Sequence, residues 1–515
     1  MDPTPEIRTT GGLVQGRRDH TLSVFRGIPY AEPPFGPQRF RAPLPARPWK
    51  GVHNALAFGP AVPQRSHPGA VMTAESGCAA DGSDNCLTLN IWSPDLTASL
   101  PVMVWIHGGA YLEGSAANPH YDGAALARCG VVMVSLNYRT GVEGFAHIAG
   151  APDNRGILDQ IAALRWVRDN IAAFGGDPRT VTVFGQSAGA GCIAAQLAMP
   201  MAQGLFRRAI LQSLPGTYFT PELAATISTT IAAELGVRAT LDDLSPSPPR
   251  TLLDATYAVI DRMPGLVDSW GPMALTPTPF SPIVDGSLLP QSPWRALENG
   301  AAREIDLLVG HTRDEYRLIA THFGLDITEA LVTRTLHELA PTPHGAASYR
   351  TDHPALSPAE LHELVHADWL FRMPTLHLAE AHHPSPTWLY ELTWSFNESE
   401  GASHSLDFLL LFDTLTPADI RNHPTAHPTA LAELPRISHE IRTAWTTFAA
   451  TGTPGWAPYT PDQALTRIYS ATPTTAPYPE SCSRRIWQTH PFDVLPLSDS
   501  GPGCTHGGDP DKIPR

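Results

Sequence analysis

The chain has 515 residues with 35 Lys and Arg against 50 Asp and Glu, a net charge of -15, which opposes nucleic-acid binding, weakly disfavours anionic substrates and favours solubility. No apolar run is as long as a membrane span, and the start MDPTPEIRTTGG lacks the basic region and apolar core of a signal peptide, so a cytoplasmic protein with no membrane partner is expected. Cys78, Cys86, Cys129, Cys192, Cys482 and Cys504 are scattered without metal-ligand spacing, and neither a metal nor a cofactor is expected.

Along the chain, Pro101 to Tyr111, PVMVWIHGGAY, predicts a buried strand that ends in a Gly pair. Residues without bulky side chains there let backbone N–H groups approach a substrate oxygen. After Asn154, the spacing of Ile157, Ile161, Leu164, Val167 and Ile171 predicts a helix with a core-facing stripe, ended by Gly175-Gly176, with Asp159 on its other side.

Val181 to Ala190, VTVFGQSAGA, is the most informative stretch. A β-prone run of the kind found in a sheet covered on both faces meets Gly185-Gln186-Ser187-Ala188-Gly189, and the small residues up to Leu197 suit a helix packed close to that sheet. This is the pattern of a nucleophile elbow, where a sharp strand-to-helix turn strains and exposes its central residue and needs small residues two positions either side. Ser187 is therefore the candidate nucleophile. The N–H groups of Gly109, Ala110 and Ala188 are the candidate oxyanion donors.

From Pro215 to Pro279 the chain turns Pro-, Thr- and Ala-rich, with helical patches at Ala224 to Leu235 and Arg250 to Arg262. FSPIVDGSLLP, Phe280 to Pro290, is expected to return the chain to the sheet. A second helical region runs from about Ile327 to Glu380, before the strand Thr387 to Trp394. Residues 1–490 are expected to form one elaborated domain. Pro and Gly density after Pro491 predicts a loosely ordered tail over 491–515.

These blocks carry a resemblance over nearly the whole chain. VFRGIPYAEPPFGPQRFRAPLPARPWKGV from Val24 to Val52, SDNCLTLNIWSP from Ser83 to Pro94, NYRTGVEGF, and DNRGILDQIAALRWVRDNIAAFGGDP leading into the elbow resemble the type B carboxylesterases, the α/β-hydrolase family that includes cholinesterases and bacterial para-nitrobenzyl esterases. The resemblance implies an α/β fold in which a large, mostly parallel central sheet is flanked by helices. In it the insertions at about 215–279 and 327–380 roof an active-site gorge and determine acyl and alcohol preference.

In such folds the nucleophile is followed in chain order by the acid and then the histidine. By resemblance the acid in IDLLVGHTRDEY is Glu315 and the base in GASHSLDFLLLF is His404. His404 would take the Ser187 proton and later protonate the leaving alcohol, while Glu315 holds its tautomer and stabilises the imidazolium. Asp314 is the rival acid, its side chain pointing the other way if the loop is extended. His107 and His311 are expected in the pocket wall, and the His clusters at 382–383 and 423–427 in solvated turns. The resemblance also implies two structural ion pairs, Arg139 with Asp159 and Arg39 with Asp84. Secreted relatives use the cysteine matching Cys86 in a disulfide that closes a long loop; here Cys78 is only eight positions upstream, leaving a small-loop disulfide open.

Two departures argue against choline esters: Gln186 stands where cholinesterases have a glutamate, and no tryptophan lies between Arg65 and Cys86 to face a quaternary ammonium. Asn85 replaces a common aspartate, a local structural change. The expected function is serine-dependent hydrolysis of neutral, moderately apolar carboxylic esters through an acyl-enzyme, by a chain favoured as a monomer. A biosynthetic transacylase, lactone-processing or deprotecting enzyme with the same triad remains the alternative, and a non-catalytic binding homologue is disfavoured by the intact candidate triad.

Overall fold

The computed structural model describes residues 4–498 apart from 66–84, 323, 325, 342 and 343. Among the described residues, eleven strands make the main sheet: β1 Arg17–Asp19, β2 Leu22–Pro29, β3 Thr88–Ser93, β4 Leu100–Ile106, β5 Val132–Leu136, β6 Gly176–Gln186, β7 Arg208–Gln212, β8 Asp306–Thr312, β9 Thr387–Leu392, β10 Leu465–Tyr469 and β11 Thr474–Pro477. Their spatial order is β11-β10-β9-β8-β7-β6-β4-β5-β3-β2-β1. The block from β10 to β5 is parallel, and the antiparallel pairs lie towards the two ends. A small three-stranded sheet joins Glu6–Arg8, Leu13–Gln15 and Val52–Asn54.

The continuous apolar runs follow from burial on both faces of the parallel block. Side chains alternate across β4: Val102, Val104 and Ile106 enter one core while Met103 and Trp105 enter the other. The helix Arg155–Asn170 lays Ile157, Ile161, Leu164 and Val167 against the first face, followed by Ile171. Gly175 ends that segment at φ 82°, where an added Cβ would run into the carbonyl of Asp95. On the second face the helix Ala430–Thr451 brings Ile441, Trp445 and Phe448. Trp105 meets Phe184 and Phe412 there, with ring centroids 4.9 and 5.0 Å away.

Parallel pairing sets Gln186 of β6 beside Gln212 of β7, and Gln212 beside Gly310 of β8. The carboxyl ends of three central strands therefore line up, and loops leaving them converge in one crevice, where open α/β sheets carry their ligands.

Two expectations change. Phe280 to Pro290 contributes no strand: Ile283 forms only an isolated bridge with Phe219, and the side chain of Asn154 bonds the Ile283 N–H and C=O. Pro282 and Pro290 have no N–H to give a ladder, and the chain re-enters the sheet at β8. Residues 491–498 are packed rather than loose, with Phe492 stacked on Trp487 and the Leu495 N–H bonded to the Tyr218 carbonyl; the rest of the expected tail lies outside the described residues. Arg139 pairs with Asp159 at 2.7 Å with both side chains fully buried, and Arg39 gives its guanidinium to Glu143 at 2.6 Å; the expected pair of Arg39 with Asp84 falls on a residue outside the described ones. Cys78 lies outside them too. Asn85 bridges locally, its amide donating to Ala31 O and its oxygen accepting from Leu87 N–H.

Candidate active site

At the end of β6 the chain reverses into the helix Ala188–Ala198 through one residue, Ser187, at φ 56° and ψ -126°. Holding a non-glycine residue there costs about 1–3 kcal/mol. The turn is held by the Ser187 N–H, which donates to Gln212 O at 2.9 Å, and by neighbours that must be small. A Cβ on Gly185 would come 2.7 Å from Ile106 O, and one on Gly189 would come 2.9 Å from His107 O. The side chain of Ser187 is left partly exposed.

The loop after β4 lies directly beside this elbow. A Cβ on Gly108 would sit 2.8 Å from Gln186 O and 3.2 Å from Ser187 Cβ, so only glycine permits the approach. Gly109 then takes φ 118° and Ala110 φ 54°, and the loop closes by hydrogen bonds from Leu112 and Glu113 N–H to Gly109 O. Among the described residues, the N–H groups of Gly109, Ala110 and Ala188 donate to no acceptor in the protein. Unpaired donors next to a serine on a helix N-terminus suit a developing oxyanion.

Glu315 lies just past β8 and His404 just before the helix Leu406–Leu411. Their side chains meet at 2.5 Å, His404 Nδ1–H donating to Glu315 Oε2. The opposite oxygen, Oε1, accepts from Ser213 Oγ–H at 2.6 Å and from Thr312 N–H at 2.8 Å. Burial is the largest influence on Glu315 and disfavours its charge, but His404 and the Ser213 hydroxyl outweigh it and hold the carboxyl below its ordinary range. With its proton on Nδ1, His404 presents a lone pair on Nε2. Among the described residues no hydrogen bond joins His404 to Ser187; Nε2 is 2.8 Å from the amide nitrogen of Gln186. Phe371, from the second insertion, packs its ring 4.5 Å from the imidazole.

The rival groups are engaged elsewhere. Asp314 accepts from Arg313, Arg317 and the Ala402 N–H, which pins the loop carrying His404. His107 is not in a pocket wall: it is fully buried, stacks on Tyr138 and hydrogen-bonds Gly108 O, and burial lowers it to about 4. His311 is likewise buried against the Tyr478 hydroxyl and lowered to about 4 by burial. His382 is no solvated turn residue, since its ring joins Thr387 Oγ1 and Ala302 O below the surface. Ser213, Thr312, Gln186 and Phe371 were not singled out as partners from sequence. Their one visible signal is position at or just past the carboxyl end of a strand for the first three; Phe371 has none.

The carboxylesterase family model matches residues 3–478. The para-nitrobenzyl esterase of Bacillus subtilis (strain 168) is 37% identical over 497 residues, covering 93% of this chain and 97% of that protein. The chain belongs to the carboxylesterase family. This carboxylesterase is also 34% identical over 474 residues to the fumonisin B1 esterase of Sphingopyxis macrogoltabida, covering 88% of the chain and 83% of the relative. A solved structure of a thermophilic PNB esterase superposes with TM-score 0.83 at 35% identity, covering 94% of this chain and all of that one. The carboxylesterase is thus an α/β-hydrolase-fold enzyme of ester hydrolysis. Among its described residues no helix is long and apolar enough to cross a membrane.

Proposed function

We propose that this enzyme hydrolyses neutral, moderately apolar carboxylic esters through an acyl-enzyme on Ser187. The observation that carries the reading is the run Ser213–Glu315–His404, hydrogen-bonded at 2.6 and 2.5 Å, at the same crevice as a strained serine flanked by three N–H donors unpaired among the described residues. Ser187 Oγ attacks the ester carbonyl as His404 Nε2 takes its proton, and the oxyanion is held by Gly109, Ala110 and Ala188 N–H. Collapse breaks the C–O bond to the alcohol, which leaves with the proton from His404. Water, deprotonated by His404, then attacks the acyl carbon and releases the acid and Ser187. Glu315 stays ionised throughout and orients the imidazole. The two helical insertions roof the site and grade acyl and alcohol size. A cytoplasmic monomer is the proposed working form, in keeping with the exposed thiol of Cys129, and light scattering with cell fractionation checks it.

The test is stoichiometric labelling by an organophosphonate, with the adduct mapped by mass spectrometry, alongside turnover of Ser187→Ala. Labelling at Ser187 and a loss of several orders of magnitude in kcat are expected. An adduct elsewhere, or full turnover in the variant, overturns the assignment.

A further inference from the structure

Gln186 is the last residue of β6 and is only 2% exposed. Its side chain spans the two halves of the site. Its Oε1 faces Gly108 of the oxyanion loop, 3.0 Å from where a Cβ on that glycine would stand, and its Nε2 is 2.8 Å from Nε2 of His404. Because His404 Nδ1–H is already given to Glu315, the contact is an amide N–H donating into the imidazole lone pair. That lone pair is the one a Ser187 proton would need. The contact also has a sign: it stabilises neutral imidazole and opposes imidazolium, whose Nε2–H would face an amide N–H. A carboxylate at the same place would do the reverse.

We infer that Gln186 is a positioning residue for the proposed hydrolysis: it caps Nε2 of neutral His404 between turnovers and yields that lone pair to Ser187 Oγ once an acyl carbonyl occupies the oxyanion loop beside Gly108. The inference rests on the serine-esterase reading above. The other groups around His404 do not perform this role. Glu315 takes Nδ1; Asp407, one turn further along the chain, accepts from the Tyr390 hydroxyl at 2.7 Å; Phe371 offers an uncharged ring face. Among the described residues Gln186 is the one side chain hydrogen-bonded to Nε2.

The test compares wild type with Gln186→Met, which keeps length and removes the donor, and Gln186→Glu, which substitutes an acceptor. Two readouts are taken: the acidic limb of kcat/KM on a neutral p-nitrophenyl ester, and the titration of His404 by NMR of 15N-histidine-labelled protein, assigned by its loss in His404→Gln. Both should move up by about 0.5–1 pH unit in Gln186→Met, the equivalent of one hydrogen bond to the neutral form, and further in Gln186→Glu. A titration in Gln186→Met that coincides with wild type overturns the cap, whatever Gln186→Glu does. If Gln186→Met does not fold, Gln186→Leu, which also removes the donor without adding charge, is read in its place. Absence of ester turnover and of Ser187 labelling in wild type would remove the serine-esterase reading, while the NMR titration still decides whether Gln186 holds His404 neutral.

Discussion

Ser213 donates its hydroxyl to Oε1 of Glu315 at 2.6 Å, on the carboxylate edge opposite the oxygen that receives His404 Nδ1. His404 first, and the hydroxyl after it, hold the carboxyl of Glu315 below its ordinary range in a fully buried position. A hydrogen bond to a charged group is worth about 1.5–3 kcal/mol. Ser213→Ala should therefore lower kcat/KM on the order of tenfold or more while the protein stays folded. Steady-state kinetics on a neutral ester, with circular dichroism as the folding control, checks this; unchanged kinetics would remove Ser213 from the site.

Gly109 sits at φ 118°, a conformation denied to a β-branched residue, and its N–H is one of the three donors unpaired among the described residues. Gly109→Val should push the loop off the oxyanion position, and losing one such donor typically costs on the order of a hundredfold in rate. The resemblance adds a second expectation: loops with a Gly-Gly-Ala core turn a carbonyl away from the alcohol site and leave it wide, so tert-butyl acetate should be hydrolysed as well as ethyl acetate. Equal rates in variant and wild type would reject the donor role. Ethyl ester turnover with no tert-butyl turnover would reject the wide site.

Glu113, at the end of the same loop, makes no ion pair or side-chain hydrogen bond among the described residues, and burial pushes its carboxyl from 4.5 up to about 7. The folded pKa lies above the unfolded one, so between pH 4.5 and about 7 the unfolded chain has released a proton that the fold retains. Stability is therefore lost as pH rises through this window and levels off above it. Glu113→Gln mimics the protonated acid. It should match wild type near pH 4 and exceed it at pH 8 by about 1–3 kcal/mol, read from denaturant midpoints at the two pH values. A gap that does not widen with pH contradicts the assignment.

How much of this was legible beforehand depends on range. The elbow was readable because its requirement is local: a residue forced to φ 56° demands small neighbours within two positions, and Gly185, Ala188 and Gly189 stand there in the sequence. The doubly buried strands β4 and β6 were readable for a similar reason, since burial on both faces erases the alternation of polar and apolar residues. The stripe on Arg155–Asn170 follows from helical period alone. Glu315 and His404 needed a family pattern, because nothing near either residue says that the two will meet across 89 positions.

What only the tertiary structure decided are the pairings between distant segments. Arg39 and Glu143 are 104 positions apart, Ser213 and Glu315 102, and Gln186 and His404 218. Each pair exists because parallel strands place their carboxyl ends in register or because a crossover folds one loop over another. The pairing of Arg39 with Glu143, or the choice between surface and interior for His382, turns on a few ångströms of packing. A sequence states which side chains have charges and hydrogen-bonding groups to satisfy; register and packing select the partner.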